Sequence, residues 1–143
     1  MYGSDVNPNP FQEPRFYPTQ CNMPEDIRIQ VAEWLNQTLA TSIDLNSQLK
    51  QATWMIRGMN FYPLYLLINE ISDQISYHIQ IVSERISTLA CTPLVSIRIA
   101  VQHSQLPEFP FGDIPVEKIL KAIAQRIASH SQFIKQSPEE LYL

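Results

Sequence analysis

Apolar residues recur at steps of three and four along three long stretches of the chain, and this periodicity limits the possible folds more than any other feature. In the first stretch Ile27, Val31, Leu35, Leu39, Leu45, Leu49, Ala52 and Ile56 fall on one face. Pro24 is accepted in a first turn, and Glu25 and Asp26 complement the positive end of a helix dipole. Lys50 and Arg57 lie toward the other end, and Gly58 suits the position just past a helix C-terminus. The pattern predicts one helix from about Pro24 to Arg57. The second stretch carries Leu64, Ile68, Ile71, Ile75, His78 or Ile79, Val82, Ile86 and Leu89, the seam of a bundle helix that ends before Thr92-Pro93. The third runs from about Val116 to Gln136 on Val116, Ile119, Ile123, Ile127, His130 and Ile134, with Glu117 early and Lys135 late.

The segments between these helices are shorter and less regular. In "LVSIRIAVQHS" Val95, Ile97, Ile99 and Val101 alternate with more polar or smaller residues, which by pattern alone is a strand. A lone strand between helices has no pairing partner, so a short connecting helix within 94–103 is the expectation. "LPEFPFGDIP" is a loop, because its prolines and glycine exclude regular structure. "SPEELYL" reads as a helix beginning, with Ser137 as N-cap, Pro138 in the first turn and Glu140 placed to close a capping box. The expected architecture is all-α: a four-helix bundle of three long helices plus a short connecting one, with the fourth long helix incomplete. Residues 1–22 form a separate proline-rich arm, since Pro8, Pro10, Pro14 and Pro18 exclude a regular helix. Two readings of the arm stand: a flexible or extended tail, or a strap that docks Phe11, Phe16 and Tyr17 on a neighbouring subunit. The helical domain then occupies 23–143.

Composition narrows the function classes. A chain of 143 residues suits one domain, and 45% hydrophobic against 17% charged residues is a globular balance. A formal net charge of −4 gives no general attraction to nucleic acid or to an anionic membrane. Cys21 and Cys91 match no zinc or redox spacing and read as free thiols of a reducing compartment. No apolar run approaches the length of a membrane-spanning helix, and the N-terminus lacks the features of a signal peptide, so a soluble cytoplasmic protein is the default expectation. The sequence contains no nucleophile triad, P-loop or dinucleotide fingerprint.

Three ordered motifs then point to a family. "KQATWMIRGMNF", residues 50–61, resembles the signature of Dps-type miniferritins, the bacterial starvation-protection branch of the ferritin-like proteins. That signature reads Lys-Gln-Ala-His-Trp, two variable residues, Arg-Gly, then Asn-Phe. Lys50, Gln51, Ala52, Trp54, Arg57, Gly58, Asn60 and Phe61 fit it. "ERISTLACTPL" resembles the family's Glu-Arg helix end and the break after it, and "SQLPEFPFGDI" its Leu-Pro-Glu-aromatic-Pro loop. The resemblance covers about Pro24 to Lys135. It implies a ferritin-like bundle assembled into a hollow shell of twelve subunits that oxidises ferrous iron, often with peroxide, and stores it as mineral. It also implies a complete fourth helix, of which this sequence carries only the beginning in "SPEELYL".

The resemblance further implies a ferroxidase site shared by two subunits. One subunit contributes two His and an acid, the other an Asp and a Glu. Those types suit iron, which favours carboxylate and imidazole ligands. Carried over position by position, the two His fall on Thr53 and Tyr65, the acid on Asn69, the Asp on Gln80 and the Glu on Glu84. Only Glu84 matches, and all four replacements are neutral. The expectation is no tight di-iron centre, little ordinary ferroxidase activity, and a role in iron sequestration and oxidative-stress protection. Two alternatives accompany it: a non-enzymatic assembly subunit, including one in mixed shells with active paralogues, and a DNA-protecting module. The slightly acidic, lysine-free arm argues against the second.

Other residues receive blander readings. Glu70, Asp73, Tyr77 and Glu84 fall on one stripe and read as a solvated face. His78 reads as a hydrogen-bonded interface residue, Trp34 and Trp54 as core or interface aromatics, and His103 and His130 receive no chemical role.

Overall fold

The computed structural model describes residues 16–136. Four helices follow in order: α1 (Glu25–Met55), α2 (Phe61–Thr88), α3 (Ile97–His103) and α4 (Val116–Lys135). The all-α reading and the bounds of the three long helices agree with this to within two or three residues. The short helix expected within 94–103 is α3, capped by the Ser96 side chain on the Ile99 N–H. The capping box in 137–143 and the arm's Phe11 lie outside the described residues.

The organising element is α1. Among the described residues, it packs on each of the other three helices, which do not pack backbone-to-backbone on one another. A helix with neighbours on several sides must bury more than one stripe. Accordingly Thr38, Leu39, Ala40, Thr41 and Ser42, five consecutive residues, are all buried. The core divides into two clusters along α1. One gathers Leu45, Leu49, Ala52 and Ile56 with Ile68, Phe109, Ile119 and Ile123. The other gathers Ala32 and Leu39 with Val82, Ile86, Leu89 and Cys91.

Polar side chains of α1 hold the connecting segments. Asn36 donates to the Thr92 carbonyl and accepts from the Leu94 N–H, fixing the chain as it leaves α2. Gln48 donates to the Pro107 carbonyl and accepts from Arg126 Nε, while Asp44 accepts from Ser104. Arg126 is itself buried, donates to the Ala122 and Glu108 carbonyls, and lies 5.2 Å over the Phe109 ring. Burial pulls its pKa down, and the nearby Asp44 charge partly offsets this.

Three details differ from the expectations. Pro24 stands at the N-cap rather than inside the first turn. α1 stops at Met55 rather than Arg57, because Ile56 turns to an extended conformation (ψ 132°) that carries its side chain into the core. Gly58 therefore does not cap α1; at φ +105° it forms the turn that starts α2, its carbonyl accepting from the Phe61 N–H. Of the arm, Phe16 bridges to Cys91 and the Tyr17 N–H donates to the Ala90 carbonyl, so the described end of the arm lies against its own chain. Arg28 secures the attachment, donating to the Leu89 and Tyr17 carbonyls beneath the Phe16 ring.

The arm attaches to a Schellman ending of α2. The Cys91 N–H reaches back to Ile86 and the Ala90 N–H to Ser87. This closure puts Ala90 at φ +56°, a left-handed conformation in which its Cβ is unfavourable and where glycine is usual. Ala90→Gly should therefore raise unfolding stability by about 0.5–1 kcal/mol, after the larger chain entropy of glycine is deducted. Urea denaturation checks this; an unchanged or lower midpoint would show that the strain is relieved elsewhere.

Candidate functional site

The five positions implied by the resemblance are set by the register of α1 and α2. Thr53 lies in the last turn of α1, is buried, and donates its hydroxyl proton to the Lys50 carbonyl at 2.6 Å. Tyr65 lies early in α2, partly buried, its ring tilted against Phe61 at 5.6 Å. Asn69 follows one turn later, also partly buried. Gln80 and Glu84 lie farther along α2, both exposed, with Gln80 Nε2 donating to Glu84 Oε1 at 3.1 Å.

At 1.5 Å per residue, Asn69 and Gln80 are about 16 Å apart along α2. One subunit therefore carries the positions as two groups at different heights: Thr53, Tyr65 and Asn69 near the α1–α2 turn, and Gln80 with Glu84 toward the other end. A single chain does not close them around one ion. Among the described residues no group of three or more His, Cys, Asp or Glu side chains could hold a metal ion. The side chains present do not fit a di-iron centre. Glu84 is the one anionic donor of the five, and the Thr53 hydroxyl is turned to its own helix.

The surroundings refine the other readings. Glu70, Asp73, Tyr77 and Glu84 are all exposed, as a solvated stripe requires. Trp34 is partly buried and stacks on Phe133 at 6.3 Å. Trp54 is not a core residue: it is 73% exposed, and Tyr62, Leu66, Tyr77 and Ile81 of α2 are exposed as well. The four residues of α2 form an accessible apolar stripe, while Trp54 borders the loop residues Gly112, Asp113 and Ile114.

With the fold and the positions defined, comparison with known proteins decides the family. The ferritin-like domain family matches residues 32–140. The chain belongs to that family, on its Dps branch. It is 25% identical over 122 residues to the "DNA protection during starvation protein" of Agrobacterium fabrum, spanning 85% of this chain and 75% of the relative. The protein of the same name from Brevibacillus brevis is 24% identical over 101 residues, 71% of this chain and 68% of the relative. In fold the chain resembles Mycobacterium smegmatis Dps, with a TM-score of 0.81 at 22% identity over 87% of this chain and 75% of that one. It also resembles DpsC from Streptomyces coelicolor, with a TM-score of 0.72 at 22% identity over 88% and 80%.

One polar constellation of this Dps-type chain was not legible in the sequence. His130 of α4 is buried between α1 and α2, its Nε2 2.9 Å from Ser42 Oγ. Ser42 Oγ also lies 2.8 Å from the Thr38 carbonyl, so its one hydroxyl proton goes either to that carbonyl or to His130 Nε2, and the imidazole tautomer follows from that choice. His78 of α2 faces His130 with ring centres 6.4 Å apart. His78 is thus not a lone interface histidine, and its buried Nε2 has no hydrogen-bond partner. Fifty-two positions separate the two histidines on different helices, so no spacing rule joins them.

Burial lowers the pKa of both rings, and that of His130 falls to about 4, desolvation acting first and the His78 charge second. Since the unfolded His130 titrates near 6.5, the unfolded chain binds the extra proton between these values. Stability should then be unaffected by His130 above pH 6.5 and decline as pH falls toward 4, by up to about 3 kcal/mol. Urea unfolding of the wild type and His130→Gln at pH 7 and pH 5 checks this. The wild type should lose more stability than the variant, and parallel losses would refute the buried neutral state.

Proposed function

We propose that this chain is a miniferritin shell subunit that serves iron sequestration and oxidative-stress protection without a competent ferroxidase centre of its own. The carrying observation is the neutral character of the ligand positions. Thr53, Tyr65, Asn69 and Gln80 bring no charge, and Glu84 shares a hydrogen bond with Gln80. Ferrous iron is the substrate in such a shell. A site with one carboxylate lacks the anionic donors that hold it and stabilise the ferric product.

The separation of the two groups along α2 supports a site that would form only between subunits. Two copies paired antiparallel along α2 would bring the Thr53–Tyr65–Asn69 end of one chain to the Gln80–Glu84 end of the other. The exposed Tyr62, Leu66, Tyr77 and Ile81 of α2 supply apolar surface for such a contact. The same face favours a second reading, a subunit kept for assembly alone, including assembly with active paralogues. A role in holding DNA has less support, because the net charge is −4.

Stopped-flow oxidation of ferrous iron by peroxide tests the reading directly. The wild type should match buffer, and the variant Thr53→His, Tyr65→His, Asn69→Asp, Gln80→Asp should gain at least about tenfold in rate if each restored ligand matters as metal ligands and their supports do elsewhere. No gain in a folded, assembled variant would refute the assignment of positions. The solution mass should correspond to a closed shell of about twelve copies, or to a dimer on the path to it. A strictly monomeric chain at micromolar concentration would refute the shell.

A further inference from the structure

A cleft of about 570 Å³ opens between α1, the end of α3 and the loop that leads toward α4. Side-chain bonds hold its walls in place. Asp44 of α1 accepts from the Ser104 hydroxyl at 2.6 Å and from Gln48 Nε2 at 3.1 Å. Gln48 also donates to the Pro107 carbonyl at 3.0 Å. From α4 the buried Arg126 donates to the Glu108 carbonyl at 2.7 Å and lies over the Phe109 ring. The loop is thus pinned both to α1 and to α4, so the space is built into the fold. Small-molecule sites are largely preformed cavities of roughly 300–1,000 Å³, apolar with a few fixed polar groups.

The lining has that composition. Phe109 is 4% exposed and belongs to the core, and Leu106 packs against the same cluster. Phe111 also lines the cleft and is largely accessible. The polar part is Asp44 and Glu108 with the amides of Gln48 and Gln51. Ser104 and Gln48, the two donors to Asp44, both line the cleft, which puts the Asp44 carboxylate at its wall. Each Asp44 oxygen takes one of those bonds, and a carboxylate has about four acceptor sites, so capacity remains for a further donor.

This pairing of surfaces selects a ligand class. An anion would meet two carboxylates. A purely apolar molecule would strip water from Asp44 and give it no new hydrogen bond. A metal ion is not favoured, because the described residues group no three His, Cys, Asp or Glu side chains, and a hydrated ion makes no use of Leu106, Phe109 and Phe111. An ammonium group on an apolar body uses both parts: its N–H groups make charge-assisted bonds to carboxylate, and its body removes aromatic surface from water.

We propose that the cleft binds a small organic ammonium, an amine cation on an aryl or alkyl body, with Asp44 taking the head and Phe109 and Phe111 the body. The exposed Glu108 adds attraction for the positive charge. Binding makes and breaks no covalent bond. The site stands apart from the ferroxidase reading, since none of the five positions discussed above is among the described residues that line it.

Phenethylammonium is the probe, with neutral phenethyl alcohol and anionic hydrocinnamate as controls. Saturation-transfer NMR on the full chain at neutral pH gives the three affinities. The ammonium should bind at least about fivefold more tightly than the alcohol, and hydrocinnamate should bind weakest. Asp44→Asn should abolish the preference for the ammonium. Glu108→Gln should weaken the ammonium about twofold to fivefold and leave the alcohol unchanged. Phe111→Ala should weaken the ammonium and the alcohol alike. Circular dichroism verifies that each variant is folded. Should Asp44→Asn not fold, Glu108→Gln and Phe111→Ala, which alter exposed side chains, carry the decision. Absence of saturable binding, equal affinity for the alcohol, an unchanged preference in folded Asp44→Asn, or unchanged affinity in both other variants would each overturn the site.

Discussion

The fold depends on α1 being buried on several sides. A helix that serves as the common neighbour of three others keeps one exposed polar stripe, here Gln30, Glu33, Gln37, Ser47 and Lys50, and must satisfy the loops that pass over the rest of it. Small hydroxyl residues and amides meet these demands. Thr38 returns its proton to its own helix at Trp34, and Ser42 has the Thr38 carbonyl or His130 to take its own, so both are buried without orphan donors. Asn36, Asp44 and Gln48 instead reach outward and bond the segments after α2 and before α4. α1 is thus both the core of the bundle and the anchor of its irregular parts.

That dual role explains what the sequence disclosed and what it did not. The seams of α2 and α4 were legible because each of these helices has one buried face, and a one-faced helix writes its period in apolar residues. The end of α1 was not. Gly58 and Arg57 have the composition of a helix end, but Ile56 leaves the helix first because the core has a place for its side chain. From sequence alone Phe16 belongs either to a flexible or extended arm or to one that docks on a neighbouring subunit. Its partners are the end of α2 and Arg28, more than ten positions away in sequence. The histidine pair is the extreme case. Nothing local distinguishes His130 from a seam residue, and its chemistry arises only when α4 sets it against Ser42 and His78.

The family and the absence of its usual ligands were legible together, since the same motif carries both. Thr53 is a good example. Within α1 it is a satisfied, buried threonine that any helix would tolerate. Its meaning comes from its neighbours Lys50, Gln51, Ala52 and Trp54, which define the position by pattern. Physical reading of the structure adds that the hydroxyl is already committed to Lys50, so the side chain is not poised to replace an imidazole.

The distance between the two groups of positions along α2 has a genetic consequence. If the groups meet only across a pair of subunits, no chain completes its own site, and changes at the two ends of α2 belong to different sites. A chain repaired only at Thr53, Tyr65 and Asn69 and a chain repaired only at Gln80 would each be inactive alone. Mixed in one assembly, they would yield one complete site and one wholly unrepaired site at each hybrid pairing. Interallelic complementation of this kind would arise from helix length, without any change in stability or expression.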